Sequence, residues 1–86
     1  MSTLTQANRE SAARGHGPEE FFKLGMMCST GQSVPIDMVA AHKWFNLAAL
    51  RGLRHAVRLR NEVAAEMSAA EMAAAQQAAR AWLTKH

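Results

Sequence analysis

The chain has 86 residues, of which 49% are apolar and 20% are charged, and its formal net charge is +3. This length allows one small domain and excludes a nucleotide-binding α/β sheet, and the single cysteine excludes an internal disulfide and a structural zinc cluster. Alanine, the best helix former, occurs 18 times, whereas Val, Ile and Thr together occur nine times. The composition therefore predicts an all-α protein.

The N-terminal segment, residues 1–15, is polar and predicts a flexible tail or the end of a preceding repeat. It lacks the apolar core of a signal peptide, and no apolar run is long enough to span a bilayer. A first helix is predicted over 18–29, because Pro18 suits the first helical position and Glu19 suits the positive end of the helix dipole. Its apolar face comprises Phe21, Leu24, Gly25 and Cys28.

A second helix is predicted over 37–51. Pro35 disfavours α conformation for the residue before it, Asp37 can cap the helix, and Gly52 can end it in the left-handed conformation. Its apolar stripe comprises Ala40, Ala41, Trp44, Phe45, Ala48 and Ala49.

Two further helices are predicted over 53–66 and 69–84. Arg60 interrupts the apolar stripe of the third helix. Ser68 and Glu71 have the spacing of a capping box, which marks the start of the fourth helix. The side chains expected to face inward on the fourth helix are Met72, Ala75, Ala79, Trp82 and Leu83.

The chain also shows internal similarity, since residues 11–15 resemble residues 48–52 at an offset of 36–37. This offset falls within the range of stacked helical repeats. Residues 24–52 contain Leu24-Gly25, Cys28, Gly31, Ser33-Val34, Asp37, Ala41, Trp44-Phe45, Ala48-Ala49 and Gly52. This pattern resembles the Sel-1-like repeat, a relative of the tetratricopeptide repeat.

The resemblance implies a short α-solenoid of two antiparallel helix pairs, with one repeat over 16–52 and a degenerate repeat or capping helix pair over 53–86. Three positions depart from the family pattern. Cys28 replaces a tyrosine, Arg60 replaces a leucine, and Ser33 replaces a glycine, so that the loop must adopt a conformation that serine tolerates.

The candidate chemical groups favour no catalytic site. The four histidines, His16, His42, His55 and His86, lack the i+3 or i+4 spacing of a helical metal motif and are expected at the surface. Cys28 lies on an apolar face and is expected to be a buried packing residue. The sequence therefore predicts a non-enzymatic protein with no cofactor and no metal.

Five residues are candidates for protein binding: Phe22, Met26, Arg51, Arg54 and Arg58. Phe22 and Met26 lie beside the core stripe of the first helix and are hard to bury within one repeat. Arg51, Arg54 and Arg58 form a basic stripe that is typical of a solvated face or of a surface for an acidic partner, with nucleic acid as the alternative.

The resemblance implies an adaptor or scaffold whose concave surface carries Phe22, Met26, Arg54 and Arg58, and the single cysteine favours a cytoplasmic location. Repeat proteins usually need about three units for stability, so self-association or a bound protein partner is expected to cover the open end near the first helix.

Overall fold

A computed structural model of the protein describes residues 17–85, so the expected N-terminal tail over 1–15 lies outside the described residues. The described part is all-helical and contains no strand, which confirms the predicted fold class. The helices are α1 (Pro18–Thr30), α2 (Met38–Leu50), α3 (His55–Ala64) and α4 (Ala69–Lys85).

The helix ends follow from local hydrogen bonds. The Asp37 carboxylate accepts a bond of 3.0 Å from the Ala40 N–H and caps α2. At the other end of α2, Gly52 has φ 100°. Gly52 N–H donates to Ala49 O at 3.0 Å and Leu53 N–H donates to Ala48 O at 3.1 Å, which is a Schellman motif.

The third helix is shorter than the predicted 53–66. The Leu53 and Arg54 carbonyls accept bonds of 3.1 and 3.0 Å from the N–H groups three residues on, those of Ala56 and Val57, so the chain forms tight turns there and the regular helix begins at His55. Residues 65–67 instead form a tighter turn, in which the Glu66 and Met67 N–H groups each donate at 3.0 Å to carbonyls three residues back. The capping box then starts α4, with Ser68 N–H donating to Glu71 at 2.8 Å and Glu71 N–H donating to Ser68 at 3.1 Å.

The helix α2 lies at the centre of the fold, because α1, α3 and α4 all pack against it. At one end of the molecule, a cluster built on Phe21, Leu47, Ala48, Ala56 and Ala79 forms the core. At the other end, a second cluster is built on Ala41, Phe45 and Val63. The order of these residues along the chain makes α1 and α3 antiparallel to α2.

Aromatic rings fill the first cluster. Phe21 stacks against Trp44 at 5.8 Å between ring centroids, and its ring meets Trp82 edge to face at 5.1 Å. One expected inward side chain is instead at the surface, since Leu83 is 40% exposed. Leu83 directly follows Trp82 on α4, and its side chain packs against neither core cluster.

The close approach of α1 and α2 depends on Gly25, which is buried on α1. A Cβ atom at this position would lie 2.6 Å from the Phe45 ring, so an alanine cannot fit unless this ring or the helices move.

The loop between α1 and α2 places Ser33 at φ 71°. This left-handed conformation favours glycine and is uncommon for serine. The loop therefore holds Ser33 in a backbone conformation that glycine favours and that serine adopts at some cost.

Candidate functional site

Phe22 on α1, one of the candidate binding residues, is half-buried against α2 and α3. Its ring centroid lies 5.5 Å from that of Phe45 and 4.7 Å from the His55 ring. Phe22 therefore joins the second half of the chain to the first, and only part of its ring remains for a partner. Met26 lies one turn further along α1 and is also half-buried. It packs against the second core cluster, as does Leu59 of α3.

The three candidate arginines are exposed. Arg58 pairs with Glu62 at 3.4 Å on the same face of α3. Arg51 lies in the loop after α2, with its guanidinium 5.8 Å from the centroid of the Phe21 ring. Arg54 immediately precedes α3 and makes no side-chain capping bond.

The contact between Phe22 and His55 brings the candidate residues of two helices together. It places half-buried Phe22 against the start of α3, where exposed Arg54 directly precedes His55 and exposed Arg58 lies about one turn further along. We call this region the α1/α3 surface, and it comprises Phe22, Met26, Arg54, His55 and Arg58.

Cys28 is half-buried and packs against the second core cluster. Burial raises the pKa of its thiol, and the nearby Asp37 carboxylate raises it further against the opposing charge of Lys43. A thiol with a raised pKa forms little thiolate at neutral pH and is a poor nucleophile. The thiol is therefore suited to packing, although its burial is less complete than the sequence predicts.

The histidines do not all lie at the surface. His55 is exposed, whereas His42 is only 3% exposed, which corrects the prediction of a surface residue. His42 is buried because α3 and α4 cover the face of α2 that the helical pattern left outside the apolar stripe. His16 and His86 lie outside the described residues. Within residues 17–85, no group of three His, Cys, Asp or Glu side chains could hold a metal ion.

Sequence reasoning missed a polar cleft of about 320 Å³ at the meeting point of α2, α3 and α4. Each helix contributes side chains spaced one turn apart, so that they share a face. Ala64 and Met72 supply the apolar part of the lining. The polar part consists of His42, Asn46, Arg60, Asn61 and Gln76.

Arg60, the residue that interrupts the apolar stripe of α3, lines this cleft. Its side chain is half-buried in the cleft, and its Nη1 donates to Asn46 Oδ1 at 3.0 Å. Beside it, the Nδ1 atom of His42 is buried and has no hydrogen-bond partner within residues 17–85. Burial lowers the pKa of His42, and the positive charge of Arg60 lowers it further.

Comparisons with protein-family models, curated proteins and solved structures found no match for the chain. Among the helices of residues 17–85, none has both the length and the apolar content needed to cross a bilayer.

Proposed function

We propose that the protein is a non-enzymatic, protein–protein interaction module built on a Sel-1-like helical repeat, acting in the cytoplasm as an adaptor or scaffold. The observation that supports this proposal is the composition of the α1/α3 surface. Half-buried Phe22 and Met26 lie on α1, and Phe22 contacts His55, which directly follows the exposed Arg54 and lies about one turn before the exposed Arg58.

This combination suits a particular kind of partner. Partly exposed aromatic and methionine side chains, with arginines beside them, resemble the centres of protein interfaces, where these residue types are enriched. Glu62 is the carboxylate that pairs with Arg58, and Arg54 takes part in no ion pair within residues 17–85. We therefore expect a partner segment with apolar side chains flanked by carboxylates.

Self-association is part of the proposal. Stacked repeats bury the faces of their neighbours, and α1 packs mainly against α2 in the described part of the chain. A second copy or another protein would cover the remaining side of α1.

Site-specific photocrosslinking tests the proposal. A photoreactive residue replaces Arg54 in one variant and Gln77, which is exposed on α4, in another. We expect a discrete crosslinked partner from position 54 and none from position 77. Labelling of the same proteins from both positions would contradict the proposed surface.

Charge reversal provides a second test in the same assay. Arg58→Glu should reduce crosslinking from position 54, whereas Arg80→Glu makes the same change of charge on the exposed side of α4. If both variants crosslink like the wild type, charge plays no part in binding. Sedimentation at low micromolar concentration then separates self-association from binding to another protein, since a folded monomer would exclude the former.

Binding to nucleic acid is the alternative outcome. It predicts an affinity for duplex or single-stranded nucleic acid that falls steeply with salt and is lost in Arg54→Ala/Arg58→Ala. The pairing of Arg58 with Glu62 removes part of the charge that a phosphate backbone would contact, so we expect no binding at physiological salt.

A further inference from the structure

The polar cleft between α2, α3 and α4 contains a cation with no anionic partner. Arg60 is half-buried, and within residues 17–85 it forms no ion pair and one side-chain hydrogen bond, to Asn46. A guanidinium carries five N–H donors, so most of them remain for another acceptor. A partly buried charge is costly unless it is paired, and therefore an anion in the cleft would stabilise this arrangement.

His42 provides a second, independent observation. Its side chain lines the cleft and is 3% exposed, yet its Nδ1 atom has no hydrogen-bond partner in the described part of the chain. Buried polar atoms are nearly always satisfied by protein, water or ligand. The cleft thus combines an unpaired cation with a buried polar atom that lacks a partner.

We propose that this cleft binds a carboxylate group, held by the guanidinium of Arg60 together with the side chains of Asn46 and His42. The planar fork of an arginine matches the two oxygens of a carboxylate. Asn46 already accepts one bond from Arg60, so its amide N–H₂ group can donate to the bound oxygen.

The charge of the cleft favours a carboxylate over a phosphate. Burial and Arg60 both lower the pKa of His42, so that the imidazole is neutral at pH 7 and Arg60 supplies the single positive charge of the lining. One positive charge balances a singly charged carboxylate, whereas a phosphate monoester carries nearly two negative charges. The volume of about 320 Å³ is at the lower end of the range for small-molecule sites.

Nuclear magnetic resonance of the full chain tests this site with defined probes. N-acetylglycine presents one carboxylate, N-acetylglycinamide is its neutral counterpart, and sodium chloride controls for ionic strength. We expect saturable shifts of the His42 ring and Asn46 amide signals with N-acetylglycine alone, with a Kd on the order of 1 mM, as suits a single charge-assisted pair. Bound carboxylate should also raise the pKa of His42.

Variants identify the group that holds the probe. Arg60→Gln should weaken binding about tenfold or more, which corresponds to the loss of one charge-assisted pair. Arg80→Gln, at an exposed position of α4 outside the cleft, is the control and should bind like the wild type. If Arg60→Gln does not fold, Asn46→Asp decides, because its own carboxylate would take the guanidinium and abolish binding of the probe.

Equal shifts with chloride, or an unchanged Kd in the variants of the cleft, would overturn the proposal. An absence of saturable shifts would also overturn it and would mean that ordered water alone satisfies His42. The proposal does not depend on the α1/α3 surface, whose variants are separate.

A further comparison distinguishes the source of the carboxylate. An acetylated trialanine with a free C-terminus is titrated beside acetate and succinate. Tighter binding of the peptide than of acetate, by about tenfold, would identify a chain terminus as the ligand. Tighter binding of succinate would identify a small organic acid, and either result supports a carboxylate site.

Discussion

Replacement of Gly25 by alanine tests whether the contact between α1 and α2 limits the stability of the fold. Helix propensity alone favours alanine over glycine by about 1 kcal/mol. The new Cβ atom would, however, lie 2.6, 2.7 and 3.0 Å from three atoms of the Phe45 ring. Ordinary carbon–carbon contacts lie at about 3.5–4.0 Å, and Phe45 is fully buried and cannot turn aside.

Overpacking of this kind costs about 1–3 kcal/mol, and three close contacts place Gly25→Ala near the upper value. After the gain in propensity, the net loss of unfolding free energy is about 2 kcal/mol. In a domain of this size that loss lowers Tm by about 8–16 °C. Circular dichroism at 222 nm, followed through thermal and urea unfolding, measures both quantities.

A double-mutant cycle with Phe45→Leu separates steric overlap from other effects. The smaller side chain leaves room for the Cβ atom, so Gly25→Ala should cost little or even stabilise the Phe45→Leu background. Two results would refute the reasoning: a higher Tm for Gly25→Ala in the wild-type background, or the same loss in both backgrounds.

Three further substitutions test the loop, the capping box and the buried histidine. Ser33→Gly should raise the unfolding free energy by about 0.5–1 kcal/mol in urea titrations, because it relieves a left-handed serine; a loss of stability would show that the serine side chain stabilises the loop. Ser68→Ala should cost about 1 kcal/mol, since it removes the bond to the Glu71 N–H, and Ser29→Ala, inside α1, is the comparison that should cost less. The lowered pKa of His42 means that the unfolded chain binds more protons, so urea midpoints should fall as the pH drops from 7.5 through about 6.5. His42→Gln should lose most of this dependence and His55→Gln should keep it, whereas equal profiles for both variants would contradict the assignment.

The sequence predicts the helix bounds well wherever a local signal marks the start of the helix. The predicted 18–29 and 69–84 differ by one residue from Pro18–Thr30 and Ala69–Lys85, because Pro18 and the Ser68 capping box determine where these helices begin. The third helix shows the limit of such signals. Leu53 follows the helical pattern, but its carbonyl accepts from the N–H three residues on in a tight turn, and such a turn is not visible in the periodicity.

The burial of α2 exceeds what one apolar stripe predicts. Leu47 is fully buried and His42 is 3% exposed, although both lie off the predicted stripe. A helical pattern identifies one buried face, whereas α2 is covered by three neighbours. The same reason explains why Phe22 is half-buried, since α3 supplies His55 as its neighbour.

The cleft forms where three helices meet, and the sequence does not show which helix faces meet there. It therefore indicates only one of the residues that line the cleft. Arg60 interrupts the apolar stripe of α3, which the sequence shows, but its partner Asn46 lies 14 residues away on another helix. The spacing of His42 and Asn46 is one helical turn, but this spacing recurs throughout α2 and carries no signal without the neighbouring helices.

The position of Arg60 also explains why the cleft stays open. A leucine there would add apolar surface between α3 and α4 and favour their closure against α2. An arginine cannot be enclosed in this way without a partner for its charge, since the cost of an unpaired buried cation exceeds what the packing would return. Arg60 thus exchanges packing for a solvent-accessible cleft with a single positive charge. A bound carboxylate would recover part of that stability, because it pairs the cation and leaves the backbone arrangement unchanged.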